Sequence, residues 1–453
     1  MSITPVIAIF DIGKTNKKIF LFNEEYEIVF EQSVQLEETM DEDGDVCEDI
    51  NELRSFVGDS MNEVLNQNNY EVKAVNYSAY GASFVYLDNE DKELGPLYNY
   101  LKNYPEHLHE QFYNNYGGEA NFSVTTASPV LGNLNSGLQI YRLKYDKPER
   151  FRKIKKVLHL PQYISWLLSK QAVSEITSIG CHTALWDFNK NEYHSWVFKE
   201  GVAEKLPNIV PSDATLNAIW NDKELLSGVG LHDSSAALIP YLANFQEPFV
   251  LISTGTWCIS LNPFNDIPLT VEELNQDCLC YLTYKGKPVK ASRLFAGNEH
   301  EQQVKRLAEH FKMPVQFYKQ VEYDPTIAAR FEADIDKAGS FDKIELSQFE
   351  NYSVAYHFFM AKIIQQQFSS TQLVMKGLKV QRVFVDGGFS QNSIYMNMLA
   401  LSLPGIEVYA ASMAQASALG AALAIHSAWN SKPIRNDLIQ LKYYSGQREI
   451  INY

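Results

Sequence analysis

The apolar positions of this chain follow two rhythms. Val6 to Phe10 is an unbroken apolar run, the pattern of a strand buried on both faces. A polar turn, Asp11-Ile-Gly-Lys-Thr-Asn-Lys-Lys18, separates it from a second apolar run, Ile19 to Phe22. Phe249 to Ser253, the turn Thr254-Gly-Thr256 and Trp257 to Leu261 repeat the same strand, glycine turn and strand. Helical spacing replaces this pattern over 49–68, where Leu53, Phe56, Val57, Met61, Val64 and Leu65 share one face. Further strands are expected at 72–77, 84–88, 380–385 and 406–410. Further helices are expected at 157–169, with Pro161 in the first turn, and at 352–368, 394–403 and 414–428; another opens near Arg293 to His300. Pro207 and Pro211 mark a loop. Residues 95–150, rich in Tyr, Asn and Pro, read as an insertion with long loops, and 313–350 as polar and irregular.

Two strand–glycine–strand units, one opening each half, point to an internal duplication. The late β, α, β, α series closes its first strand with Asp386-Gly-Gly-Phe-Ser-Gln-Asn392, a strand-to-helix turn with room for a flat ligand. Gly387 and Gly388 leave bare backbone for a base and ribose; Asn392 either touches that ligand or faces solvent. In the first turn Gly13 permits close approach, Thr15 and Asn16 offer donors, and Lys14, Lys17 and Lys18 supply positive charge. A plain lysine-tipped hairpin is the competing reading. Asp11, at the strand end, suits magnesium held through water. Gly255 and Thr256 offer donors to a phosphate. Gly81 sits at another strand end, where open α/β sheets take ligands. Between the halves lies Gly230-Leu-His-Asp-Ser-Ser-Ala-Ala-Leu238. Its one carboxylate, Asp233, stands at a helix mouth that Ser234 and Ser235 are expected to cap. There it either accepts a proton from a bound hydroxyl or serves the cap alone.

Composition narrows the partners. A formal charge of −16 over 453 residues argues against nucleic acid or an anionic membrane surface, though not against a phosphorylated ligand. No apolar run has the length of a membrane span, and no basic stretch precedes an apolar one at the start. Five cysteines without a Cys-x-x-Cys pair read as buried free thiols in a reducing cytoplasm, although Cys278 and Cys280 share one strand face. The expected localisation is cytoplasmic.

Three glycine turns around one central Asp resemble the FGGY carbohydrate kinases of the actin-like ATPase superfamily, over roughly residues 5–428. Asp11 to Lys18 resembles the family's first phosphate motif and Thr254 to Thr256 the second. Asp386 to Asn392, with Ala416-Ser-Ala-Leu-Gly-Ala421, resembles its adenosine region. Within the family, Tyr80 to Asp88, Leu160 to Tyr163 and His232-Asp233 are most similar to the rhamnulokinase branch. The resemblance implies two actin-like (ribonuclease H-like) α/β domains, 1–243 and 244–453, with a cleft between them. It implies ATP and magnesium as cofactors and a small sugar as substrate. Asp233 would be the general base, Gly81, His232, Asp233 and Ser234 the sugar contacts, and Gly13, Lys14, Thr15, Asn16, Lys18, Gly255, Thr256, Gly387, Gly388 and Asn392 the ATP contacts. The expected activity is transfer of the γ-phosphate of ATP to a ketose such as L-rhamnulose, L-fuculose or a xylulose. The sequence departs from the family at Lys14 and Asn16, where small hydroxyl residues or alanine are usual. The family's Tyr-Arg-Asp is present only as Leu97 to Tyr100, without the arginine, which leaves the sugar open. The alternative is a non-catalytic, nucleotide-gated sugar sensor on the same scaffold. A homodimer is compatible with either reading.

Overall fold

The computed structural model describes residues 3–331, 340–413 and 415–445. The chain forms two seven-stranded mixed sheets. The first has the order Thr215–Trp220, Lys223–Gly228, Tyr70–Ala79, Thr4–Ile12, Lys17–Asn23 and Ile28–Val34, and Leu231–His232 also pairs with Tyr70–Ala79. The second has the order Cys278–Leu282, Pro288–Leu294, Cys258–Asn262, Phe249–Thr254, Arg382–Gly387, Glu407–Ser412 and Gln440–Tyr444.

The expected duplication is present strand by strand. Thr4–Ile12 runs antiparallel to Lys17–Asn23 and parallel to Tyr70–Ala79. Phe249–Thr254 runs antiparallel to Cys258–Asn262 and parallel to Arg382–Gly387. Each hairpin is closed by a glycine N–H: Gly13 donates to the Asn16 carbonyl and Gly255 to that of Trp257, both at 2.9 Å. Val6 to Phe10 is fully buried, as an apolar run between two layers requires. The helix Ile50–Leu65 starts at Asp49, whose carboxylate accepts from the Asn51 and Glu52 N–H groups, and it buries Leu53, Phe56, Val57, Met61 and Val64. This is the actin-like two-domain α/β architecture that the resemblance implies.

Each sheet receives a helix from across the seam. Ala416–Ala424 lays Ala418, Leu419, Ala421 and Ala422 on Ile7, Ile9, Phe20 and Phe22 of the first sheet. Leu238 and Tyr241 pack with Phe249, Leu251 and Phe384 of the second. The two helical segments meet at Gly420, where an added Cβ would lie 1.8 Å from the Ala236 carbonyl oxygen. Asn76 joins the seam by donating to the Ala421 carbonyl at 2.8 Å and accepting from the Gly230 N–H at 3.2 Å.

Several expectations are corrected. Residues 95–150 hold four helices, Glu106–Asn115, Glu119–Thr126, Ser136–Asp146 and Pro148–Lys153, instead of long loops. Their core is aromatic: Phe112 contacts the rings of Phe122, Tyr141 and Trp196. An aliphatic-periodicity test misses such a core because its members are Tyr, Phe and Trp. Residues 156–159 are a strand paired with Phe84–Leu87, and the helix begins only at Leu160, where Pro161 fixes its first turn. After Pro211 the chain makes the hairpin Thr215–Trp220 and Lys223–Gly228, turning on Asn221 and Asp222, both at positive φ as a tight two-residue turn demands. The helix expected from 414 runs over Ala416–Ala424 and a second follows at His426–Trp429; Ala414 lies outside the described residues, as do 332–339 of the irregular stretch.

A direct test of the seam is Gly420→Ala. Its methyl must push two backbones apart, and overpacking of this kind costs about 1–3 kcal/mol. The denaturation midpoint should fall, whereas Gly58→Ala, whose Cβ would meet only the Trp220 ring at 3.8 Å, should leave it unchanged or raise it. Equal midpoints for the two variants would contradict the close crossing.

Candidate active site

Two carboxylates meet at the seam. Asp11 ends the first strand, with Lys18 opposite it on one side and Ser78 on the other. Ser417, from the helix that crosses over, sets its hydroxyl 3.0 Å from each Asp11 carboxylate oxygen. Burial first, then repulsion from Asp233, raises the Asp11 pKa to about 6. Asp233 follows the short strand Leu231–His232, which pairs beside Ala79. Its Oδ1 accepts from the Ser234 N–H at 2.6 Å and from the Ser234 hydroxyl at 3.2 Å. Its side chain remains 35% exposed, yet the surrounding protein desolvates it enough to raise its pKa to about 6.

The expected serine cap is not formed. His232 is the N-cap residue and makes no side-chain cap bond, Ser234 turns its hydroxyl to Asp233, and Ser235 donates to the Leu282 carbonyl at 2.9 Å. The start of so short a helix is instead fixed by the strand before it and the crossing helix above it.

Around the pair the structure gathers Gly81, His232 and Ser234. An added Cβ on Gly81 would stand 2.5 Å from the Cys181 sulfur and 3.1 Å from the His232 ring, so only glycine fits there. The His232 Nε2 lies 3.2 Å from Asp233 Oδ1 and 3.0 Å from Cys181 Sγ. Burial lowers the His232 pKa to about 3, which keeps the ring neutral.

The first turn is arranged differently from its sequence reading. Lys14 reaches Glu48 at 3.1 Å, Lys17 is buried against the same carboxylate at 2.9 Å, and Lys18 pairs with Glu31 at 3.2 Å. Asn16 accepts from Gln35 at 3.1 Å, and Thr15 is exposed. The lysines are thus neutralised within the protein. Lys18 still shares a strand face with Asp11, and its charge lowers the proton affinity of that carboxylate.

On the second half, a cavity of about 990 Å³ is lined by Thr254, Gly255, Gly388 and Asn392. Gly387, the predicted contact next to Gly388, does not line the cavity; it is glycine for a backbone reason, since φ is +86° and a Cβ would fall 1.9 Å from the Thr254 carbonyl oxygen. Gly388 has open space beside it. Thr256 is exposed, and its carbonyl accepts from the Asn298 N–H at 3.1 Å, which seats the helix Ala296–Phe311 on the turn. Asn392 neither faces solvent alone nor stands free. It caps Ser393–Ser402 through the Tyr395 N–H and donates to the Tyr356 hydroxyl at 2.7 Å.

Sequence reasoning missed Ser417, Cys181 and the remaining cavity wall, which includes His300, Tyr318, Lys319, Gln440, Lys442 and Tyr444. Ser417 was within reach, since it stands in the first turn of the small-residue helix already singled out. The wall residues carry no such signal, because the closing strand Gln440–Tyr444 and the segment near Tyr318 join the cavity only through tertiary packing. Among the described residues no three His, Cys, Asp or Glu side chains are grouped to hold a metal by themselves, and no helix is long and apolar enough to cross a membrane.

Known proteins resemble this chain in sequence and in fold. The N-terminal domain of the FGGY family of carbohydrate kinases matches residues 6–239, and the FGGY C-terminal domain matches 246–433. A rhamnulokinase of Halalkalibacterium halodurans is 23% identical over 273 residues, 57% of this chain and 54% of that protein. One of Oceanobacillus iheyensis is 22% identical over 208 residues, 42% of each chain. The chain thus aligns with about half the length of the curated relatives it matches. A carbohydrate kinase structure from Novosphingobium aromaticivorans, 21% identical, superposes over 98% of this chain and 95% of its own with a TM-score of 0.81, and so shares the fold. With both domain models matched in order, the chain belongs to the FGGY family of carbohydrate kinases.

Proposed function

We propose that the protein is an ATP-dependent sugar kinase that transfers the γ-phosphate of ATP to a hydroxyl of a ketose such as L-rhamnulose, L-fuculose or xylulose. The observation that carries this reading is Asp233: a carboxylate whose side chain stays about one-third exposed, with its pKa raised to about 6 and its second oxygen free of the Ser234 bonds. A base of that strength takes a proton from a bound hydroxyl as its oxygen attacks phosphorus. Gly81, His232 and Ser234 surround Asp233 and would hold the sugar. The relatives named rhamnulokinase favour a ketose.

ATP would lie in the large cavity of the second half, with adenosine against Gly387, Gly388 and Asn392. Its phosphates would run toward Gly255 and Thr256 on one side and Gly13, Lys14, Thr15, Asn16 and Lys18 on the other. Lys14 and Lys18 are engaged with Glu48 and Glu31, so a phosphate contact requires them to exchange partners. Asp11 fits a magnesium ion: its oxygens face only neutral hydroxyls, those of Ser417 and Ser78, and burial beside a second carboxylate leaves negative charge that a cation would relieve. Bound there, the metal would neutralise charge on the transferring group. The two halves of the proposed kinase would be 1–243 and 244–453, a division compatible with family matches over 6–239 and 246–433.

The test is sugar-dependent ADP release over a panel of ketoses and polyols. It also separates a kinase from a sugar sensor. Asp233→Asn should lower turnover by about two to four orders of magnitude while ATP still binds. Near-wild-type turnover in this variant would remove Asp233 from the reaction. Gly388→Val should fill the open space at the cavity wall and weaken binding of a non-hydrolysable ATP analogue far more than binding of the sugar. An equal loss for both ligands would mean that the turn is structural.

A further inference from the structure

Ser235 and Cys181 have no part in the reading above, yet each touches the ring that stands beside Asp233. His232 Nδ1 lies 3.3 Å from the Ser235 oxygen, and Nε2 lies 3.0 Å from the Cys181 sulfur. A serine hydroxyl has one proton, and the Leu282 carbonyl oxygen, 2.9 Å away, has none to offer. Ser235 therefore donates to Leu282, and its own oxygen is left as an acceptor. Nδ1 meets that acceptor only by carrying the ring proton. A neutral imidazole has one N–H, so Nε2 is a bare acceptor. Burial keeps the Cys181 thiol protonated, and of the two ring nitrogens near its sulfur the His232 Nε2 at 3.0 Å is closer than the His182 Nε2 at 3.4 Å, so the thiol donates to His232.

We propose that Ser235 and Cys181 are positioning residues that hold His232 as its Nδ1–H tautomer, so that an acceptor nitrogen and not an N–H donor faces Asp233. The proposal rests on the reading of Asp233 as the base. The opposite tautomer would point an N–H at Asp233 Oδ1, add to the two donors from Ser234, and weaken the base. The other titratable groups facing this pair are Asp11, Tyr100, His159, His182 and Tyr281, with Arg293 near Cys181. Among the described residues, none of these six is hydrogen-bonded to either His232 ring nitrogen. Leu282 lies on the edge strand of the second sheet, whereas His232 pairs with the first. The tautomer is thus set from across the seam.

The experiment is nitrogen-15 NMR of the full chain labelled at histidine, with the His232 signals assigned from a His232→Asn spectrum. The wild type should show a pyrrole-type Nδ1 and a pyridine-type Nε2. Ser235→Ala should move both toward the other tautomer and lower kcat by about tenfold at unchanged ATP KM, the size expected for one rearranged buried hydrogen bond. Cys181→Ser, which keeps a donor, should retain the wild-type pattern and turnover. An Nε2–H or doubly protonated ring in the wild type overturns the proposal, as does a Ser235→Ala variant in which either the ring pattern or kcat is unchanged. The spectrum reads the tautomer without any turnover. A wild type without sugar-dependent ADP release overturns the kinase reading, and the positioning role with it.

Discussion

The close crossing of Ala416–Ala424 over Asp233–Ala237 is the constraint on which the rest depends. Two helical backbones approach so nearly that Gly420 has no room for a Cβ beside Ala236. That approach brings Ser417 from one half onto Asp11 of the other and lays a run of alanines on the first sheet. Small residues are needed for distance, and apolar ones for burial. The same helix therefore glues the halves together and completes the carboxylate site.

The electrostatics follow from that packing. Asp11 and Asp233 are carried by different strands of one sheet, Thr4–Ile12 and the strand before Asp233, and are desolvated under the crossing helices. Desolvation raises the proton affinity of both carboxylates, and the Asp233 charge adds to the rise at Asp11. Lys18, opposite Asp11, offsets part of this, whereas Lys14 and Lys17 are held by Glu48. A site of this kind favours a cation and a proton donor as ligands, and the proposed metal and sugar hydroxyl supply both.

Much of this was legible in the sequence because its signals are local. Buried strands ending in glycine turns, and an Asp at a helix mouth, are patterns of a few consecutive residues. The duplication was visible for the same reason. What was hidden depends on distance along the chain. Ser417 meets Asp11 across 406 positions, and Lys14 meets Glu48 across 34. The helices of 95–150 were hidden differently, since their core is built from aromatic rings that a count of aliphatic residues does not register. The serines after Asp233 were read as caps because local propensity favours that use. The neighbouring Asp233 carboxylate takes the Ser234 hydroxyl instead, and the distant Leu282 carbonyl takes that of Ser235.

In the proposed kinase one seam joins the base, the phosphate turns and the nucleotide cavity into a single reaction site. A crystal structure with a non-hydrolysable ATP analogue, magnesium and a phosphorylatable ketose tests it most directly. The analogue should lie in the cavity beside Gly388, with its terminal phosphate between the turns of Gly13 and Gly255 and one sugar hydroxyl within hydrogen-bonding distance of Asp233. A sugar bound away from Asp233, or a terminal phosphate pointing out of the seam, would contradict it.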